Sequence, residues 1–393
     1  MKQNSLLLGD MTVDDFLENY WQKQPCIFRQ AFTPEQIDLL SMDEISGFAL
    51  DENIESRLII GNSASTNLSE KMTLQQGPFS VETLSNLPET NWTLLIQSID
   101  LWHQKFNSLL DWVNFLPRWR LDDIMVSIAA PGGGVGPHRD QYDVFLLQTQ
   151  GERHWQVSAP NQDEEILRGN EGNEILQVPA FKGDIDETLE AGDILYIPPA
   201  WRHWGVAKSL CITTSIGFRA PSAEDLLISL SDQLSSVTTQ RFTDAWRKSA
   251  SGESITRQDI EQVRAKISSV INDDYLLAEA LGLQVTQPKI AIDLLEHSES
   301  ELKQEDIINH PNLNLTLHTV SRMSYVELDD ALTIFVNGET LPTKLKANCK
   351  QLIEQLCKHQ RCNLNNFNLD KKSTDSIKQI LIELVQLDAI TLD

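Results

Sequence analysis

Between residues 124 and 218 the chain carries short apolar runs separated by Gly, Pro, Asn and Asp. They are IMVSIAA (124–130), YDVFLLQ (142–148), HWQVSA (154–159), DILYIP (193–198) and CITTSIGF (211–218). Each is of strand length and rich in β-branched or aromatic residues, and such strands at short intervals predict a sandwich or closed barrel. Helix and strand signals alternate in the first hundred residues. Thr12-x-x-Asp15 reads as a capping box before an amphipathic stretch ending near Tyr20. Thr33-Pro34-Glu35 reads as a second helix start with Pro at the first helical position. Extended segments are expected at 57–60 and 93–99.

After Arg219-Ala-Pro221 the apolar spacing becomes helical. Ser222-x-x-Asp225 caps a predicted helix with Leu226, Leu227, Leu230 and Leu234 on one broad face. Two more helices fit 256–271 and 273–283, and the polar, acidic HSESELKQED (297–306) reads as a linker. In the last ninety residues LTIFV, Asn337-Gly338 and ETLPT predict a hairpin, because Asn-Gly supplies the positive φ angles of a type I′ turn. Helices at 343–358 and 372–387 complete a winged-helix-like reading. No strongly basic recognition helix is present, so this segment reads as a docking or stabilising domain rather than a DNA reader.

With 393 residues, 41% of them hydrophobic, the chain has room for two or three domains and the means to bury their cores. Asp and Glu number 57 against 32 Lys and Arg, a formal charge of −25 that repels nucleic acid and attracts basic proteins. Taken from composition alone, solubility is the simpler reading of this acidity. Five scattered cysteines without a C-x-x-C pair argue against a disulfide framework and a cysteine zinc site. The start, MKQNSLLLGDMTVDDF, lacks a signal-peptide core, and no apolar run reaches membrane-spanning length. A cytoplasmic protein without membrane association is expected.

The candidate chemistry lies in PGGGVGPHRDQYDVF (131–145) and LEAGDILYIPPAWRHWGV (189–206). His138 and Asp140 are one residue apart, which on a strand points both to one face. His203 follows a predicted strand ended by Pro198-Pro199, and a barrel brings it to the first pair. Two His and one carboxylate are the ligand set of non-haem Fe(II) oxygenases, leaving open positions for a co-substrate and O₂. Zinc hydrolases use similar ligands but need a positioned general base, and no H-E-x-x-H or comparable arrangement occurs. The glycines at 132–134 and 136 are not followed by Gly-Lys-Ser/Thr, so they suit a tight turn before His138 better than a phosphate loop. His154 alternates with Arg153 and faces away from the site. Tyr142 shares strand parity with His138 and Asp140, and Trp201 and Trp204 read as pocket wall or core.

The strings PGGGVGPHRDQYDVFLLQTQGERHWQV (131–157), GDILYIPPAWRHWGVA (192–207), SIGFRAPS (215–222) and WQKQPCIFR (21–29) carry a resemblance. The chain resembles the JmjC-type cupin oxygenases, in particular the bacterial ribosomal oxygenases. The resemblance implies a mixed α+β protein with a double-stranded β-helix domain (1–220), a helical dimerisation region (221–300) and a winged-helix-like C-terminal domain (301–393). It implies Fe(II) on His138, Asp140 and His203, with 2-oxoglutarate and O₂ as co-substrates. Arg153 would grip the distal carboxylate of 2-oxoglutarate and Ser127 would add a hydroxyl contact. Arg139, between the first two ligands, is charged, which departs from the pattern but points away from the metal on a strand. The implied activity is hydroxylation of a protein side chain, an arginine of a basic large-subunit ribosomal protein, by a homodimer that does not bind nucleic acid directly. Histidyl hydroxylation and methyl-lysine demethylation use the same iron chemistry, and a non-catalytic cupin binding or assembly protein is the alternative from another class. Asp122, Asp123 and Asp143 are unranked candidates for contacting a substrate arginine.

Overall fold

Side-chain caps start the helices that flank the sheets. The computed structural model describes residues 6–8, 11–63, 72–161, 167–168, 176–237, 243, 254–290, 314–346, 349–367 and 371–392. They fall into two units, Met1–Arg219 and Ala220–Asp393. Helix α1 (Val13–Asn19) begins at Thr12, whose hydroxyl accepts from Asp15 N at 3.1 Å while the Asp15 carboxylate reciprocates, as the spacing predicts. The Thr33-Pro34 start yields only one turn, α2 (Pro34–Ile37). A further helix, α3 (Met42–Phe48), starts from a Ser41/Glu44 capping box that the sequence reading passed over.

Among the described residues of the first unit, fourteen strands build two large sheets, beside a two-stranded pair of Leu6–Leu8 with Met11–Thr12. The fourteen are β1 (Cys26–Phe28), β2 (Ser56–Ile60), β3 (Thr73–Gln76), β4 (Trp92–Ile96) and β5 (Leu121–Ala129). Next come β6 (His138–Arg139), β7 (Asp143–Gln150), β8 (Arg153–Ser158), β9 (Leu167–Arg168) and β10 (Leu176–Gln177). The set ends with β11 (Ile185–Leu189), β12 (Ile194–Ile197), β13 (Arg202–Ala207) and β14 (Cys211–Phe218). One sheet runs β1-β12-β7-β14-β5-β4-β2-β3 and the other β9-β10-β6-β13-β8-β11. From β5 to β8, and again from β11 to β14, the chain passes repeatedly between the sheets, which is the double-stranded β-helix the resemblance implied.

Strand parity explains why Val144–Leu147 of β7 and all of β12 form unbroken apolar runs. Phe145 and Leu147 of β7, with Ile194 and Tyr196 of β12, face an outer core that also holds Phe16 and Phe28. Val144, Leu146, Leu195 and Ile197 face inward, against Trp155, Val157 and Leu189 of the other sheet. A strand buried on both faces loses the alternation of a half-exposed one. The outer core is aromatic, with the Phe16 ring 5.0 Å from Tyr196 and 5.6 Å from Phe145.

The second unit opens with α6 (Ala223–Val237), α7 (Arg257–Ile271) and α8 (Asp274–Val285); two short helices of the first unit, α4 (Val81–Ser85) and α5 (Asn107–Trp112), precede them. Ser222 and Asp225 cap α6 reciprocally, as read from the sequence. Seven strands follow: β15 (Asn314–Leu317), β16 (Met323–Leu328), β17 (Ala331–Val336), β18 (Glu339–Thr340), β19 (Leu345–Lys346), β20 (Arg361–Asn363) and β21 (Ile390–Leu392). The Asn337-Gly338 turn joins β17 to β18 with φ of 51° and 80°, as predicted. The helix expected at 343–358 is corrected: α9 spans Lys350–His359, because Leu345 and Lys346 pair with β17 instead. The last helix, α10, spans Lys371–Gln386. The segment read as a linker, 297–306, lies outside the described residues. Among those described, no helix is long and apolar enough to cross a membrane.

Candidate metal centre

Strands β6 and β13 pair antiparallel with His138 directly opposite His203. That register alone brings the two imidazoles together, with ring centroids 4.0 Å apart. Asp140 lies one residue beyond the end of β6, so its approach to His138 is set by the loop rather than by continued strand parity. The loop is anchored where Ala200 N donates to Asp140 O at 2.6 Å. The parity argument for Tyr142 fails for the same reason. Tyr142 nevertheless reaches the site, hydrogen-bonding the Asp140 carboxylate.

Asp140 Oδ2 lies 3.4 Å from His203 Nε2 and 3.9 Å from His138 Nε2. The three donor atoms all fall within 4.8 Å of one another. Donors about 2.0–2.2 Å from one ion at roughly right angles are about 3 Å apart, so this set needs only a slight contraction to hold a single divalent metal. Both histidines are already in the tautomer that ligation requires. His138 Nδ1 meets Gly136 O at 2.9 Å and His203 Nδ1 meets Trp201 O at 3.0 Å, so each ring donates there and turns its Nε2 lone pair toward Asp140. Gly136 takes φ of 81°, a conformation that suits glycine and lets its carbonyl turn back to the ring. Burial, and then the neighbouring His203, pull the His138 pKa down to about 4, leaving it neutral at physiological pH. Burial pushes the Asp140 carboxyl upward, but the two histidines and the Tyr142 hydroxyl outweigh it and hold it below its ordinary value. Neutral imidazoles and an ionised carboxylate are the forms that bind metal.

Arg153, on β8, is 4% exposed. Its Nη1 donates to Ser127 Oγ at 3.1 Å and to Thr213 Oγ1 at 3.2 Å. Ser127 and Thr213 are register partners on β5 and β14, and Thr213 was not singled out from the sequence. Among the described residues no carboxylate offsets this buried cation, and burial draws its pKa below the usual arginine range. A guanidinium in a dry pocket without a counter-ion is costly and marks a seat for an anion.

The remaining residues separate cleanly. His154 points outward to Asp186 Oδ1 at 2.8 Å, as its parity predicts. Trp204 is core, its Nε1 donating to Ser63 O at 2.7 Å. Asp143 is fully buried and committed to Tyr196 OH at 2.6 Å, Gln22 Nε2 at 3.0 Å and Arg120 Nη2 at 3.1 Å, so it is a structural group. Asp123 accepts from Ser98 N and Oγ and, with Asp122, raises the pKa of Tyr142, placing both acids on the Tyr142 side of the site.

Residues 108–226 match the JmjC domain family and residues 269–391 the ROXA-like winged helix. The chain is 32% identical to the ribosomal protein uL16 3-hydroxylase of Escherichia coli K12, covering 83% of this chain and 84% of that protein. It is 29% identical to the probable ribosomal oxygenase of Haemophilus influenzae, over 84% and 82% of the two chains. Among solved structures it is similar to the Escherichia coli ribosomal oxygenase YcfD in complex with cobalt and 2-oxoglutarate, with a TM-score of 0.79 and 29% identity over 97% and 98% of the chains. Geometry, fold and relatives therefore agree that this chain belongs to the JmjC-type ribosomal oxygenases.

Proposed function

We propose that the chain is an Fe(II)- and 2-oxoglutarate-dependent oxygenase that hydroxylates an arginine of a large-subunit ribosomal protein, uL16 as for the Escherichia coli relative. The observation that carries this reading is a three-donor metal set with a buried, uncompensated guanidinium near enough to act on His138. A metal at one end and a fixed cation at the other suit a dicarboxylate with a chelating 2-oxo group. His138 and His203 would hold iron through Nε2 and Asp140 through its carboxylate. When bound, Fe(II) with 2-oxoglutarate and O₂ supplies the oxidising power to insert one oxygen atom into an unreactive C–H bond, with succinate and CO₂ released.

This chain's own residues position and exclude. Arg153 takes the distal carboxylate of the co-substrate, with Ser127 and Thr213 fixing the guanidinium. Val157, Leu189, Leu195 and Ile197 keep the barrel interior apolar, which strengthens each charged contact in it. A net charge of −25 draws a basic substrate from the cytoplasm.

We further propose that the segment 221–300 dimerises two copies. Leu227 and Ile228 on α6 are 59% and 57% exposed, and Ile260, Val263, Ile267 and Ile271 form an exposed apolar stripe along α7.

The test is enzyme loaded with Fe(II) under anaerobic conditions and then given O₂, 2-oxoglutarate and purified large-subunit ribosomal proteins. Substrate-dependent succinate and one oxygen atom added to an arginine are expected from the native enzyme, and neither from His138→Ala. Full turnover by that variant would remove His138 from the site. Oxygen on a histidine would replace the arginine assignment with a histidyl one. A native protein that binds neither metal nor 2-oxoglutarate would favour the binding-protein alternative.

A further inference from the structure

Trp155 carries a buried indole N–H with nothing to bind. It follows Arg153 by two residues on β8, so both side chains enter the barrel interior. The residue is 5% exposed, and Nε1 has no hydrogen-bond partner among the described residues. Arg153 Nε is unpartnered in the same way. Buried donors are almost always satisfied, so two unpaired N–H groups on adjacent inward side chains indicate a missing acceptor.

Their placement says which acceptor. The Arg153 guanidinium carbon lies 5.3 Å from the centre of the Trp155 ring. The His203 ring is 6.2 Å away. Trp155 is thus a neighbour of both the buried cation and a candidate metal ligand, the two groups that a 2-oxo dicarboxylate has to span. The ring cannot turn to seek a partner elsewhere. Its six-membered edge packs on β13 so closely that a Cβ at Gly205 would fall 2.6 Å from Trp155 Cζ3 and Cη2. That contact leaves Nε1 on the ring's free edge.

We infer that Trp155 Nε1–H donates a hydrogen bond to the distal carboxylate of 2-oxoglutarate, sharing it with Arg153 and setting co-substrate affinity. The inference rests on the 2-oxoglutarate reading above. Phenylalanine at 155 would keep an aromatic face beside the guanidinium but lose the donor, together with the Cζ3 and Cη2 edge that packs on Gly205.

The experiment uses the full chain loaded with Zn(II), which is diamagnetic, and with ¹⁵N-labelled indoles. Of the nine tryptophans, the resonance absent from Trp155→Phe belongs to residue 155. On adding 2-oxoglutarate that resonance moves downfield. By calorimetry Trp155→Phe binds 2-oxoglutarate about tenfold more weakly, the loss of one charge-assisted hydrogen bond. In turnover the variant raises KM for 2-oxoglutarate and leaves kcat at saturation unchanged. Should Trp155→Phe lose its fold, the native resonance, assigned by through-space contact to His203, decides alone. Native protein that binds 2-oxoglutarate with no shift at residue 155, or a folded variant of native affinity, overturns the inference and leaves the co-substrate reading standing. Native protein that fails to bind 2-oxoglutarate overturns both.

Discussion

At the residue scale the site is prepared before anything binds. Backbone carbonyls of Gly136 and Trp201 hold the two histidine tautomers, and Ser127 and Thr213 hold Arg153. The cost falls on Arg153, a buried cation for which no carboxylate among the described residues compensates. Arg153→Met should therefore leave the apo protein's melting temperature unchanged or raised, because a buried charge is removed. The same variant should raise KM for 2-oxoglutarate on the order of 100-fold and abolish the thermal shift that 2-oxoglutarate gives the native protein. Thermal scans with and without co-substrate check this, and a destabilised apo variant would assign Arg153 to the core instead. His138 and Asp140 were picked out by the H-x-D motif, although a loop and not strand parity places Asp140, and Arg153 was reached through the family resemblance. Thr213 was not, because a hydroxyl in CITTSIGF reads as an ordinary β-former until the register sets it opposite Ser127. Trp155 was hidden for a similar reason, since an unpaired N–H becomes visible only once its neighbours are known.

At the element scale, the long central strands announced themselves, while short strands such as β3, β9 and β11 and short helices did not. CITTSIGF coincides with β14 residue for residue, because a central strand buried along its whole length is an uncharged run rich in β-branched residues, bounded by polar breaks. The helix expected at 343–358 began late because Leu345, Leu352 and Leu356 fit helical spacing whether or not β17 claims the first of them. Two predictions belong here. Phe16→Ala should cost about 3–5 kcal/mol in denaturant unfolding, since α1 inserts this one fully buried ring into the aromatic core behind β7 and β12. Replacing Ile260 and Ile267 of α7 by Asp should convert a dimer to a monomer in light scattering, with each catalytic unit still binding metal. A dimer that survives the pair would move the interface away from α7.

At the scale of the whole molecule, a β-rich first half followed by helices and a winged-helix-like end was readable, but the number of strands and their closure were not. β14 lies between β7 and β5, and β13 between β6 and β8, pairings between strands distant in the chain that no local pattern encodes. Net charge acts at this scale as well. With −25 on the enzyme and a basic substrate, raising ionic strength from about 0.01 to 0.15 M shortens the screening length from ~30 to ~8 Å. KM for the protein substrate should rise across that range while KM for 2-oxoglutarate, bound in a buried pocket, stays nearly constant. Initial-rate kinetics at graded salt check the contrast, and equal sensitivity of both constants would contradict electrostatic recruitment.

The central claim is tested most directly by tandem mass spectrometry of large-subunit ribosomal proteins from cells with and without this gene. The account predicts one added oxygen atom on a single arginine, present with the native gene and absent from both the deletion and a strain carrying His138→Ala. Ribosomal proteins with identical spectra in all three strains would contradict it.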